Sequence, residues 1–440
     1  MKVRFPPLLE SRQPRPTVIL ISHFCPYPST HGNRSRLVSW LAWLRAHGFR
    51  VRYILQVLDL EEESALRDLA DAVDRLDVIR SPFQGPGLRL SVRRVTGRMV
   101  RRMLPKASAD ALRRLFDHSS SSGPRVIREW APRELTEDPH IDRWCWPTTR
   151  EIVRRAIDEE HPVAVITEYA LLSRCLEDVP APALKIIDTT EVFFRNADRF
   201  RVEGLDAPLI CTPDSEKMAL GRADVIVAIQ KNDAAALREL FPQKRVITVG
   251  HTYPWADRRF REPESGLVLY VGSSNPFNVH GLRCFLTQAW PQILATAPQT
   301  RLRIVGSCPR VEAAADTRVT YVGRVSDERL VQEYRRARVV INPQVAGTGL
   351  KIKCVEALSA GCPLVVNGAG ADGLEDHAGQ AFLLATNWTQ FAQHVLRLLT
   401  DDALAQRLQA EATRLAEEMF SEGATFSELA LVLKPLLPQG

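Results

Sequence analysis

Short apolar runs of strand length alternate along this chain with amphipathic stretches of helical period. Thr17 to Ser22 (TVILIS) reads as a buried strand, followed by the polar loop His23 to Gly32 (HFCPYPSTHG). Asn33 to His47 then sets Leu37, Trp40, Leu41 and Leu44 at helical spacing, and Gly48 ends that helix. Phe49 to Leu55 is a second strand. Strand, loop, helix, strand is one βαβ unit of a parallel sheet. Val163 to Thr167, Leu184 to Asp188, Val225 to Ile229 and Val246 to Val249 read as further strands, with helices over Arg150 to Glu160 and Asp233 to Leu240. The polar stretch Tyr253 to Gly266 predicts a linker. A second α/β series follows, with strands at Leu267 to Val271, Arg301 to Val305, Val319 to Val322, Val339 to Asn342 and Leu364 to Asn367. Gly281 to Leu294 reads as one helix and Asp401 to Met419 as another. The pattern predicts an α/β chain of two doubly wound, Rossmann-like domains facing a central cleft. The expected bounds are residues 1–255, a linker at 256–265, residues 266–400, and helices over 401–440 that reach back across the linker. Open α/β sheets bind ligands outside the carboxyl ends of their strands.

Composition narrows the class. The chain has 440 residues, 58 Lys plus Arg against 52 Asp plus Glu, and a net charge of +6. With 45% hydrophobic residues it is neither disordered nor a small disulfide scaffold. No run approaches the ~18 apolar residues of a membrane span. Met1 to Pro16, with Pro6, Pro7, Pro14 and Pro16, lacks the apolar stretch of a signal peptide. Eight scattered cysteines form no C-x-x-C, as expected of reduced thiols in a cytoplasmic protein, and no zinc site is expected. Arg89 to Arg114 departs from the average: nine basic residues face only Asp110, with apolar residues interleaved. That pattern fits a solvated helical face, or an anionic membrane surface and the head group of a lipid-linked acceptor. Without an aromatic RNA-binding motif, and with so mild a net charge, no nucleic-acid partner is expected. A cytoplasmic location follows, with a peripheral position at the inner face of the cytoplasmic membrane as its extension.

The most specific stretch is Asn342 to Gly361, NPQVAGTGLKIKCVEALSAG. A strand ends at Asn342, Gly347-Thr348-Gly349 turns, and a helix runs from near Leu350 to Ala360. Glycines at a helix N-terminus leave backbone N–H groups to hold a phosphate. Lys351 and Lys353 at that end oppose the helix dipole unless an anion compensates them. The string resembles the nucleotide-sugar-binding motif of GT-B glycosyltransferases, in particular glycosyltransferase family four, through Glu356-Ala357-Leu358-Ser359-Ala360-Gly361-Cys362-Pro363. Leu269 to Ser273, Asn278 to Leu282, Tyr321 to Val325, Ile187 to Thr189 and Ala223 to Ile229 extend the likeness.

The resemblance implies a GT-B enzyme that moves a sugar from a nucleoside diphosphate sugar to a hydroxyl. The acceptor implied is a glycan or lipid-linked glycan of surface polysaccharide biosynthesis. Glu356 would accept from the donor ribose, and Gly347, Thr348, Gly349 and Leu350 would face diphosphate and sugar. Lys351 and Lys353 would neutralise the leaving diphosphate. Gly272 and Ser273 would form the first donor-side loop, Gly32 would let backbone approach the donor phosphate or the acceptor, and Arg324 and Val325 would sit by the base. Thr348 stands where retaining members usually carry the first Glu of an E-x7-E pair, and the family's Arg and Lys early in this domain are missing from Gly272 to Gly281. Lys351 and Lys353 fit instead the variant subgroup with G-T-G-L-K-I-K. A retaining outcome is the expectation, with an inverting one left open.

An inverting course needs a base, and Asp188 and Glu191 follow a strand that could face the cleft. His23, His31, His251 and His280 stand after strands or at helix starts. The candidate catalytic set is therefore Lys351, Lys353, Asp188 and His31. No D-x-D occurs in the chain, so no metal or other cofactor is expected beyond the donor itself. Gly368 to Gly373 matches G-x-G-x-x-G, but no apolar helix follows, so it reads as a loop lining the cleft. Two other readings stay open: an epimerase or hydrolase of the same fold, and a non-catalytic export or membrane-docking partner.

Overall fold

The computed structural model describes residues 15–28, 32–57, 63–80, 141–193, 211–253, 261–311, 316–347 and 349–438, and the backbone of 125–128. The basic stretch Arg89 to Arg114, His31, Thr348 and residues 254–260 of the expected linker lie outside the described residues.

Fourteen described strands form two sheets. Strands β1 (Thr17–Ser22), β2 (Arg50–Val57), β3 (Arg75–Arg80), β4 (Arg125–Arg128), β5 (Ala164–Glu168), β6 (Leu184–Asp188), β7 (Val225–Ala228) and β8 (Arg245–Thr248) make one of eight strands. Its order is β4-β3-β2-β1-β5-β6-β7-β8, and each pairing is parallel. Strands β9 (Leu267–Val271), β10 (Arg301–Val305), β11 (Val319–Gly323), β12 (Val339–Asn342), β13 (Leu364–Asn367) and β14 (Leu383–Ala385) make the second, in the order β11-β10-β9-β12-β13-β14, also parallel. Helices on both faces explain why β1 is buried along its whole length and reads as an apolar run rather than an alternation. Strand order reverses at β1/β5 in one sheet and at β9/β12 in the other, and such reversals open ligand crevices.

The helix Gly32–Ala46 buries Leu37, Trp40, Leu41, Trp43 and Leu44. Phe426, Leu429, Val432 and Leu433, from the end of the chain, belong to the same buried cluster, and Phe426 stacks on Trp43 with centroids 5.4 Å apart. The last helix, Ser427–Leu433, thus completes the core of the first sheet although it follows the second in sequence. The expected Gly281–Leu294 helix differs. It starts earlier, at Pro276, capped by the Asn275 side chain, and passes through a π-type turn at Phe285–Ala289 before Trp290–Thr296. Pro291 lacks an N–H and crowds the preceding turn, and the wider turn accommodates it.

Candidate active site

Between the two sheets lies a cavity of about 1190 Å³, lined from both sides. The wall from the second sheet begins where β12 stops at Asn342 and the chain turns through Gly347 and Gly349, whose φ values of +102° and +80° favour glycine. Lys351 braces this turn. Its Nζ donates to the Gly349 carbonyl at 2.7 Å and the Gly347 carbonyl at 3.2 Å. The helix Ile352–Ser359 starts there, and Gly349, Leu350, Lys351, Lys353 and Glu356 all line the cavity. Beside it, β9 ends at Gly272 and β10 at Gly306. A Cβ on Gly306 would sit 2.2 Å from the Gly272 carbonyl oxygen, so the two turns pack backbone to backbone and leave Ser273 and Ser307 on the wall. Arg324 and Val325, after β11, complete this side.

Its electrostatics are tuned by burial. Lys353 donates to Asn278 Oδ1 and lies 5.4 Å from the Tyr270 ring. Desolvation, aided by the charge of Lys351, lowers its pKa to about 8. Glu356 accepts from the Tyr334 hydroxyl at 2.7 Å, and desolvation, with a smaller contribution from Asp327, raises its carboxyl to about 7. The helix end therefore brings two lysines and a carboxylate onto one stretch of cavity wall. A sugar nucleotide offers the complement, an anion beside a diol.

The opposite wall comes from the first sheet and includes Phe24, Ser35, Tyr169, Thr190 and Glu191. Gly32 lines the cavity too, but its close neighbour is protein: a Cβ there would come 2.1 Å from Ile352 Cδ1. Gly32 thus lets the two domains approach. Phe420, Ser421, Glu422 and Phe426 close one edge, a contribution that no local motif announces.

Several expectations change. Asp188 does not line the cavity. It is 2% exposed and bound by Arg36 in a bidentate pair, Nε–Oδ2 2.8 Å and Nη2–Oδ1 2.6 Å, so its carboxylate is committed to structure. Arg36, a charge on the buried face of an amphipathic helix, was the signal for this pair. His23 and His251 are buried away from the cavity, and burial lowers them to about 4 and about 3. His280 neighbours Cys284 and is not in the lining either. Gly347 is not in the lining, and its carbonyl accepts from Lys351 Nζ. The Gly368–Gly373 loop packs against the other domain, with Gly373 on Gln230 and Asp372 near Asn232, instead of lining the cavity. Among the described residues no cluster of three or more His, Cys, Asp or Glu is arranged to hold a metal.

Two parallel sheets facing across such a cleft, with a glycine turn and helix N-terminus at one wall, define the GT-B fold. Solved structures of similar shape agree. Sucrose-phosphate synthase from Thermosynechococcus elongatus is 18% identical with a TM-score of 0.63, covering 96% of this chain and 99% of that one. Anabaena HepE in complex with UDP-glucose is 11% identical with a TM-score of 0.59, covering 96% and 100%. Residues 265–401 match the family model of the glycosyl transferases group 1. A 44.6 kDa protein in the cps region of Klebsiella pneumoniae is 23% identical over 172 residues, which span 37% of this chain and 44% of that relative.

Proposed function

We propose that this protein is a glycosyltransferase that moves a sugar from a nucleoside diphosphate sugar to a hydroxyl of a glycan or lipid-linked glycan in polysaccharide biosynthesis. The observation that carries the reading is the convergence of Lys351, Lys353 and Glu356 on one cavity wall at the end of β12. The family match over residues 265–401 supports sugar transfer, and the cps-region relative supports its setting.

Glu356 holds the ribose hydroxyls, and the Gly272–Ser273 and Gly349–Leu350 backbone faces the diphosphate and sugar. Arg324 and Val325 flank the base. The bond between the anomeric carbon and the diphosphate oxygen breaks as the acceptor oxygen bonds to that carbon. The negative charge that develops on the diphosphate meets Lys351, Lys353 and the helix N-terminus, which do the work a metal ion does elsewhere. A retaining course passes the acceptor proton to the departing phosphate oxygen. An inverting course would take it to Glu191, the cavity-lining carboxylate after β6. The anomeric configuration of the product, read by NMR coupling constants, separates the two. Arg89 to Arg114 is proposed to meet an anionic membrane surface, which salt-dependent flotation with phosphatidylglycerol vesicles tests.

The test of the reading is a screen of nucleoside diphosphate sugars for binding and turnover, repeated with Lys351→Ala and EDTA. One donor should bind, transfer should survive EDTA, and the variant should lose both. Turnover abolished by EDTA would remove the metal-free mechanism.

A further inference from the structure

The cavity segregates charge between its walls. Lys351, Lys353, Arg324 and Arg335 all stand on the wall of the second sheet, whereas the described lining residues of the first sheet include no lysine or arginine. Beneath that wall, Arg36 and Asp188 cancel each other in a buried pair. Glu168 is 1% exposed, takes the Ser22 hydroxyl on Oε2, and is held uncharged near neutrality by burial. An anion therefore finds its partners on one side only.

Beside the polar Ser35, Thr190 and Glu191, the first sheet presents two aromatic rings. Strand order reverses between β1 and β5, and the residues just past these strands are Phe24 and Tyr169. Their ring centroids are 5.9 Å apart, and Phe193 stacks behind Tyr169 at 5.6 Å. Tyr169 has φ +58° and ψ 161°, a conformation that L residues avoid and that costs on the order of 1–3 kcal/mol. Its N–H is fixed by the Asp188 carbonyl at 2.8 Å, so the fold holds the strain in place. Its phenol oxygen has no hydrogen-bond partner among the described residues.

We infer that Phe24 and Tyr169 form a platform for an uncharged pyranose ring, the terminal sugar of the acceptor. The ring's C–H face lies on Phe24, and a hydroxyl meets the Tyr169 phenol. Flat apolar carbon edged with hydroxyls is the ligand that an aromatic face with a polar tip recognises. The inference rests on the transferase reading, and it excludes an acceptor whose phosphate is the group docked on this wall.

The test uses the full chain and saturation-transfer NMR. The probes are the methyl α- and β-pyranosides of glucose, galactose, mannose and N-acetylglucosamine, with sn-glycerol 3-phosphate as the anionic comparison. Nucleotide binding is followed in the same samples by calorimetry. Phe24→Leu keeps apolar volume and removes the flat face. It should weaken the bound pyranoside about tenfold, a loss on the scale of one aromatic contact, and leave nucleotide affinity within about twofold. Tyr169→Phe keeps the ring and should weaken it about fivefold, as for one lost hydrogen bond. Nucleotide binding without any pyranoside binding, preferential binding of the glycerol phosphate, or unchanged pyranoside affinity in both variants would each overturn the platform and spare the donor site. Absence of nucleotide binding would instead overturn the transferase reading on which the acceptor role depends.

Discussion

Donor binding should have a bell-shaped pH dependence, because the two groups proposed to meet the donor titrate near neutrality in opposite senses. Lys353 sits at about 8 where an ordinary lysine lies at 10.5, chiefly through desolvation. A bound diphosphate favours the ammonium and moves that value back up. Binding then takes up a proton above pH 8, and affinity falls by up to tenfold per pH step. Complete restoration would span about 300-fold, or ~3.4 kcal/mol. Solvent reaches this half-buried amine, and screening trims the expected limb to about 10- to 100-fold. Glu356, raised to about 7, must be ionised to accept from both ribose hydroxyls. Affinity therefore rises with pH through 7, by about 10-fold for hydrogen bonds to a charged group. The optimum lies between 7 and 8. Calorimetry from pH 5.5 to 10 should use the intact sugar nucleotide, because a free nucleoside diphosphate has its own terminal phosphate titrating near ~6. Lys353→Met should flatten the alkaline limb and Glu356→Gln the acid limb, each leaving the other. An alkaline limb centred near 8 that survives in Lys353→Met would refute the assignment.

Arg36→Met leaves the Asp188 carboxylate buried without its partner and should cost about 3–5 kcal/mol in urea unfolding, with much of the loss recovered in the Arg36→Met, Asp188→Leu double variant. Wild-type-like stability of the single variant would contradict the buried pair. Glu168→Gln concerns a group whose folded pKa, about 8, lies above its unfolded 4.5. The folded state then holds a proton the unfolded state lacks, so stability falls between these values by up to about 1.4 kcal/mol per pH unit. The variant should lose that slope, as read by thermal melts from pH 4.5 to 8.5. Gly306→Ala combines a φ of +112° with a Cβ only 2.2 Å from the Gly272 carbonyl oxygen, so it should destabilise the donor-side domain by at least ~2 kcal/mol and weaken nucleotide binding. Unchanged melting would show that the two turns are not packed as described.

The wall of the second sheet was legible because its signals are contiguous. The strand end, glycine turn, paired lysines and Glu356 lie within twenty consecutive positions, Asn342 to Gly361, and one helix turn suffices to bring them together. The wall of the first sheet was not. Asp188 looked available because it ends a strand, but its partner Arg36 lies 152 positions away, and only the packed fold brings the two together. Phe24 and Tyr169 become neighbours only when β1 pairs with β5. Phe420 to Phe426 reach the cavity because the chain crosses back to the first domain, which helical periodicity past Asp401 cannot specify. The strand pattern of most of both sheets was readable since buried parallel strands are apolar throughout, while β3 is broken by Asp77 and β14 is only 3 residues long, so each gives little signal.

In the proposed reaction this cleft holds a nucleoside diphosphate sugar on Glu356 and the lysines beside it. Calorimetric titration of UDP, GDP, CDP, dTDP and ADP sugars into the wild type and Glu356→Ala, at pH 7.5, tests it most directly. One nucleotide class should bind to the wild type with a 1:1 stoichiometry and at least about tenfold more weakly to a folded Glu356→Ala. Equal affinity for both proteins, or no binding by any nucleotide, would contradict it.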